Sequence, residues 1–177
     1  MKKELKGISK EELKELYDKD FPLWAEINLE LLKEKAYELV DWEHLLEEIE
    51  DMARSDLKAC ISYLAVILEH LYKWDNFRHL VGKEGGKGWI KSVVNARREI
   101  FVLFSESPSL EKKLPVEISK AWNRARAKLE SWLEDLYYEG RITKAQLREY
   151  LSQIPKDCPY TYESAMTRDL RKELEDA

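Results

Sequence analysis

The sequence predicts an all-α fold: a single-domain bundle of about six or seven helices that includes a long helix around residues 42–74. Three observations carry this reading. Apolar residues recur at three- and four-residue steps along most of the chain, no run alternates with period two, and β-branched residues cluster only at Ser92-Val93-Val94. The chain has 177 residues, 44% of them hydrophobic and 37% charged, enough for one domain with a sizeable core and far from the composition of a disordered segment.

Ser9 with Glu12 three residues later is a capping-box pattern and opens a short leading helix at 9–20. Pro22 suits the first turn of the next helix, in which Trp24, Ile27, Leu31 and Leu32 form an apolar stripe expected to run to Tyr37–Val40. Asp41 can cap the long helix. Its apolar series, Trp42, Leu46, Ile49, Ala53, Leu57, Cys60, Leu64, Ile67, Leu71 and Trp74, averages about 3.6 residues per step and would span about 50 Å. Arg54-Ser55-Asp56 offers a break with Ser55 as a new cap, so one helix and two are both compatible with this stretch.

Four of the six glycines fall at Gly82, Gly85, Gly86 and Gly88, a density that predicts a mobile glycine-rich loop at 75–88. Trp89, Val93, Ala96, Ile100 and Phe104 restore the helical step until Ser107-Pro108, and Pro115 resets the chain again. Ile118, Trp122, Ala125, Leu129, Trp132 and Leu136 form the next stripe, closed by Gly140 as a left-handed terminator. Thr143 and Gln146 make a second capping box, Pro155 follows that helix, and the tail carries a last weak helical pattern.

The charges are segregated. Residues 38–56 hold eight acids against Arg54, whereas 78–98 and 112–128 each carry a net +5, within an overall −5. Opposed blocks in one chain are expected to meet as an intramolecular ion-pair network. Glu43, Glu47, Glu50 and Arg54 step along one helix face beside the apolar seam, which makes them candidates for partial burial. A carboxylate there needs a cation, so Glu47 or Glu50 is expected to pair with Arg97 or Arg98.

Reactive chemistry is sparse. A carboxylate-bridged metal centre would want Glu-x-x-His, but Asp41 precedes His44 at that distance and Ile67 precedes His70. On a continuous helix His44 and His70 would lie about 39 Å apart. The run Gly82 to Gly88 fails as a phosphate loop in its spacing, in placing Gly88 where a magnesium-binding hydroxyl belongs, and in having no preceding strand. Cys60 and Cys158 lack the paired spacing of a zinc site and read as plain thiols. Trp89, Trp122 and Trp132 lie on apolar stripes and are expected inside rather than against bases. No catalytic residue, metal ligand or cofactor is assigned. The absence of an 18-residue apolar run or a secretory leader points to a cytoplasmic protein without a membrane partner.

The order of landmarks carries a resemblance. Leu16-Tyr17-Asp18-Lys19-Asp20-Phe21-Pro22-Leu23-Trp24 is followed by Asp41-Trp42-Glu43-His44-Leu45-Leu46-Glu47-Glu48-Ile49-Glu50, by Arg54-Ser55 and by Leu68-Glu69-His70-Leu71-Tyr72-Lys73-Trp74. Trp89, Arg97-Arg98-Glu99, Ser107-Pro108-Ser109-Leu110 and Cys158-Pro159-Tyr160-Thr161 complete it. Over residues 16–162 this resembles the prokaryotic family called domain of unknown function 29, with His44 and Ala53 departing from its usual Asn and Gly. The resemblance implies an all-helical protein with no agreed activity, substrate or cofactor. It directs attention to Glu47, Glu50, Arg54, His70, Trp74 and Arg98; Arg97 joins them in a candidate polar cluster, structural or functional.

The leading expectation is a non-enzymatic protein-protein interaction or scaffold module, self-association included. The alternative is a nucleic-acid-associated module using the basic segments 83–98 and 112–128, and the third a metal-dependent enzyme at the acidic helix 41–54. Few Asn, Gln, Met and Cys beside abundant Lys and Glu match proteins of hot-living organisms. On that composition, thermal unfolding followed by circular dichroism is expected to give a Tm above about 60 °C.

Overall fold

A computed structural model describes residues 8–175, and all the regular structure within them is helical. In chain order the elements are α1 (Lys10–Lys19), α2 (Phe21–Lys33), α3 (Trp42–Glu106), α4 (Leu110–Lys113), a 3₁₀ turn (Leu114–Glu117), α5 (Ile118–Tyr138), α6 (Lys144–Gln153), α7 (Tyr162–Thr167) and α8 (Leu170–Glu175). Instead of one core there are two buried clusters, in two compact units: Met1–Arg54 and Ser55–Ala177. Among the described residues no helix is long and apolar enough to cross a membrane.

Both capping boxes form, with Ser9 and Thr143 accepting from the backbone N–H of Glu12 and Gln146 and the two acyl side chains reaching back. In the first unit α1 and α2 pack around Leu13, Trp24, Leu31 and Val40. α2 ends at Lys33, short of the expected Tyr37–Val40, because Lys35 takes φ 60°. Its N–H donates to Leu32 and that of Ala36 to Leu31 at 2.9 Å, the paired bonds of a Schellman stop made without glycine. Gly140 does the same after α5, at φ 71°, with bonds from Gly140 to Tyr137 and from Arg141 to Leu136.

The second unit is organised by a reversal within α3. Residues 42–81 are helical without a break at Arg54-Ser55-Asp56, and the expected loop at 75–88 is helical too, except at Gly82. Gly82 has φ 66° and ψ −173°, backbone essentially reserved for glycine. There the helix turns back. Ser107 Oγ donates to Asp56 Oδ2 at 3.0 Å, although 51 residues of straight helix would set them about 75 Å apart. The glycine density therefore serves close approach, not mobility. A Cβ at Gly85 would lie 2.5 Å from Val81 Cβ, and one at Gly86 would lie 3.2 Å from the Trp74 ring.

The two arms and α5 bury one another. The 60–77 face, with Cys60, Leu64, Leu68 and Leu71, meets Val93, Ala96, Ile100 and Phe104 of the returning arm and Trp122, Ala125, Leu129, Leu133 and Leu136 of α5. Tyr72, Phe77, Trp89, Trp122 and Trp132 make ring contacts at 5.5–5.9 Å across this core. Trp122 Nε1 donates to the Pro155 carbonyl and Tyr72 hydroxyl to that of Gln153, tying the end of α6 and the chain just beyond it to the same core.

Gly82→Ala is expected to destabilise by about 1–3 kcal/mol, because alanine cannot hold that backbone without strain. Gly88→Ala, in a helical position with open space where the Cβ would stand, is expected to stabilise by about 0.4–1 kcal/mol. Urea unfolding midpoints of the two variants against the parent check both signs.

Candidate functional site

The most developed polar constellation lies in the second unit, where the chain after α6 is clasped to α3. Arg168 sits at the end of α7 and faces two carboxylates at once. Its guanidinium donates to Asp75 Oδ1 and Oδ2 at 2.5 and 2.8 Å, and to Glu173 Oε1 and Oε2 at 2.7 and 2.8 Å. Tyr160 hydroxyl also donates to Asp75, at 2.6 Å, and Trp74 Nε1 to Glu173 at 3.0 Å. Arg78 lies over the Trp74 ring, 4.7 Å from its centroid. Each acid is thus shared between a cation and a neutral donor.

The protonation states follow from these partners. Bonds from Arg168 hold the Glu173 carboxyl below its ordinary 4.5, against burial and with help from Trp74. The same acids raise the Arg168 pKa, and burial together with Asp75 raises that of Tyr160. All three are therefore fixed in their ordinary charge states at neutral pH. That is the signature of a clasp rather than of an acid or base poised to exchange protons.

The candidate cluster is divided. Trp74 and Arg97 belong to the clasp. Arg97, expected to meet Glu47 or Glu50, instead gives Nε and Nη2 to the Ala165 carbonyl and Nη1 to that of Arg168, at 2.6–3.0 Å, covering the carbonyl end of α7. Arg98, one residue on, is exposed beside a cleft between α3 and α8. His70 is half-buried and donates Nδ1–H to the Val66 carbonyl at 2.8 Å; burial lowers its pKa. Beside it Lys73 and Glu69 form a buried ion pair at 2.6 Å, with Lys73 also 4.5 Å from the Trp132 ring centroid.

Glu47, Glu50 and Arg54 lie in the first unit, and all three are exposed rather than partly buried. Arg54 pairs with Glu50 at 3.0 Å, one turn away on the same helix. The acid that is buried here is Asp41, which is fully enclosed. Its Oδ2 accepts from Trp24 Nε1 at 3.0 Å and from His44 Nδ1 at 2.6 Å, and its backbone N–H donates to Asn28 Oδ1. Burial raises the Asp41 pKa, yet the bonds from His44 and Trp24 outweigh it and leave the carboxyl below its usual value. His44 stacks on Tyr17, whose hydroxyl donates to Glu48 and whose pKa is pushed up to about 12 by that bond first of all. The result is an Asp-His pair walled by aromatic rings, which joins α1, α2 and the start of α3.

Within the basic segments Lys87 pairs with Glu84, Lys120 with Glu117 and Arg126 with Glu130, each about one turn away on its own stretch of helix. Trp89 and Trp122 are buried in the core, which leaves neither ring free to stack on a base. Among the described residues no group of three or more His, Cys, Asp or Glu is placed to hold a metal ion. Of the clasp residues, Trp74, Arg97 and the landmark residue Tyr160 stand out in the sequence, whereas Asp75, Arg168 and Glu173 do not. Their separation, 93 to 98 residues between α3 and the tail, leaves no local pattern to find.

The model of the family described as "Domain of unknown function DUF29" matches residues 16–170 of this chain, and no curated protein or solved structure matches it.

Lowering the pH is expected to loosen α8. The folded pKa of Glu173 lies below its unfolded value, so its stabilisation is present above about pH 4.5 and is lost as pH falls through the folded value. The Trp74 indole N–H resonance reports this directly. Arg168→Gln should shift that resonance at neutral pH and cost about 2–3 kcal/mol in urea unfolding, since both acids lose their shared cation.

Proposed function

For this chain, which belongs to the DUF29 family, we propose a non-enzymatic role as a protein-protein interaction module whose contact surface is the first unit. One observation carries the reading. That unit buries only Leu13, Trp24, Leu31 and Val40 as its apolar cluster, yet leaves Phe21, Leu23, Leu29, Tyr37, Leu39, Trp42, Leu46 and Ile49 each more than 40% exposed. So many large apolar side chains outside so small a core are unusual on a surface that stays in water.

Trp42, Leu46 and Ile49 follow one another at steps of four and three and make a stripe on the first turns of α3. Glu43, Glu47 and Glu50 run beside them, each exposed. A second copy of this stripe would bring like charges together, so the partner supported by charge complementarity carries an apolar helix face flanked by lysine or arginine. Covering three half-exposed apolar side chains is worth on the order of 3–5 kcal/mol on this side of the contact. Against the cost of association that is modest, and the complex is expected to be reversible and salt-sensitive.

The test uses an amphipathic helical peptide, leucine on one face and lysine beside it, titrated into the full chain by fluorescence anisotropy. Binding should weaken by at least about tenfold in Leu46→Glu/Ile49→Glu. In Glu47→Gln/Glu50→Gln it should lose most of its salt dependence. An acidic peptide with the same leucine face binding equally well would overturn the reading. So would a concentration-dependent dimer of the parent chain that the Leu46→Glu/Ile49→Glu variant abolishes.

A further inference from the structure

The second unit holds a cleft of about 640 Å³ between the returning arm of α3 and α8. On α3 the positions that line it, Lys87, Lys91, Val94 and Arg98, recur at helical steps and so share one face; Arg171 and Leu174 face them from α8. Ile90, Val94 and Leu174 supply an apolar floor, of which Ile90 is buried and the other two half-buried. Around it stand cations. Lys87 is committed to Glu84 at 2.6 Å, but the side chains of Lys91, Arg98 and Arg171 make no hydrogen bond or ion pair with any described residue. Among the described residues Glu175 is the one acid on the rim.

This differs from the rest of the unit. Arg97 and Arg168, the immediate neighbours, have their guanidiniums filled by carbonyls and carboxylates. Among the described residues these three cations have only Glu175 beside them, so like charges outnumber opposite ones at the mouth of an apolar recess, an imbalance that an anion placed among them offsets. The volume is that of a small-molecule site, and two arginines beside a lysine suit the oxygens of a phosphate or carboxylate.

From this we infer that the cleft is a binding site for a small amphiphilic anion. Its phosphate or carboxylate head lies among Lys91, Arg98 and Arg171, and its apolar body lies on Ile90, Val94 and Leu174. Such a head can belong to a soluble metabolite or to a lipid presented by a bilayer; the recognition chemistry is the same. The site is independent of the peptide contact assigned to the first unit. Arg168 and Trp74 fasten Glu173 one residue before Leu174, so the clasp, together with buried Leu170, positions one wall of the cleft.

Isothermal titration calorimetry of the full chain with decyl phosphate, inorganic phosphate and decyl maltoside tests the inference, with backbone amide shifts at Val94 and Leu174 to locate binding. Decyl phosphate is expected to bind at one site and to move those amides. Inorganic phosphate should bind at least about tenfold more weakly and the neutral detergent not measurably. Arg98→Gln and Arg171→Gln, both at exposed positions, should each weaken decyl phosphate about tenfold while leaving the circular dichroism spectrum unchanged. Vesicles of phosphatidylcholine with and without phosphatidic acid distinguish the sources: sedimentation with the anionic vesicles alone, lost in Arg98→Gln/Arg171→Gln, identifies a lipid headgroup, and binding of decyl phosphate without it identifies a soluble ligand. No binding of decyl phosphate, equal affinity for inorganic phosphate, or binding indifferent to both arginine variants overturns the inference.

Discussion

The second unit depends on one backbone conformation, the φ of 66° and ψ of −173° at Gly82. A helix that continued through this residue would carry the 83–106 arm away from the 60–77 face, and neither apolar stripe would have anything to pack on. Turning back within a single residue brings Asp56 and Ser107 into hydrogen-bonding distance at the other end of the pair. The tightness of the reversal sets the neighbouring composition. Gly85 leaves room for Val81, and Gly86 for the Trp74 ring. A longer and more flexible loop would join the same helices at a larger entropic cost and fix their register less firmly.

Once the arms are paired, their cations have two fates. Arg97 turns inward to the end of α7 and Arg98 outward to the cleft, although they are adjacent in sequence, because consecutive helical residues point about 100° apart. The clasp around Arg168 then determines where the short final helix lies. Six residues have little helical stability of their own. α8 is held in place by buried Leu170 and by Glu173, which is bonded to both Arg168 and Trp74. Polar bonds of this kind contribute modestly one at a time, but here four charge-assisted bonds converge on one guanidinium.

The first unit solves a different problem with a buried acid. Asp41 is enclosed by Trp24, His44 and Asn28, so its charge is met by donors from α2 and α3 rather than by solvent. That small polar centre, with four apolar residues around α1 and α2, is a slender basis for an independent fold, and more of the unit's large apolar side chains are over 40% exposed than are buried. Membership of the family names no activity. The two surfaces proposed as contact sites are an acidic apolar stripe in one unit and a basic apolar cleft in the other.

Local chemistry was legible in the sequence wherever a few neighbouring residues decide the outcome. Both capping boxes, the Pro22 start of α2, the Gly140 stop and the apolar stripes of the 60–74, 89–104 and 118–136 segments depend only on backbone donors and side-chain spacing. The same stop made with Lys35 was invisible, because lysine carries no signature of left-handed backbone. A glycine cluster has two meanings, mobility and close approach, and only the partner across the gap, Trp74 or Val81, tells them apart. Likewise the helical period that buries Leu64 and Leu71 continues through Trp42, Leu46 and Ile49, which are exposed: periodicity defines a face but not what stands against it. By itself the sequence determined the fold class, most helix ends and the segregation of charge, because these are short-range properties of the chain. Only the tertiary structure decided which charges meet. Arg168 is brought to Asp75 by packing across 93 residues and Glu173 to Trp74 across 99, and no spacing rule reaches that far.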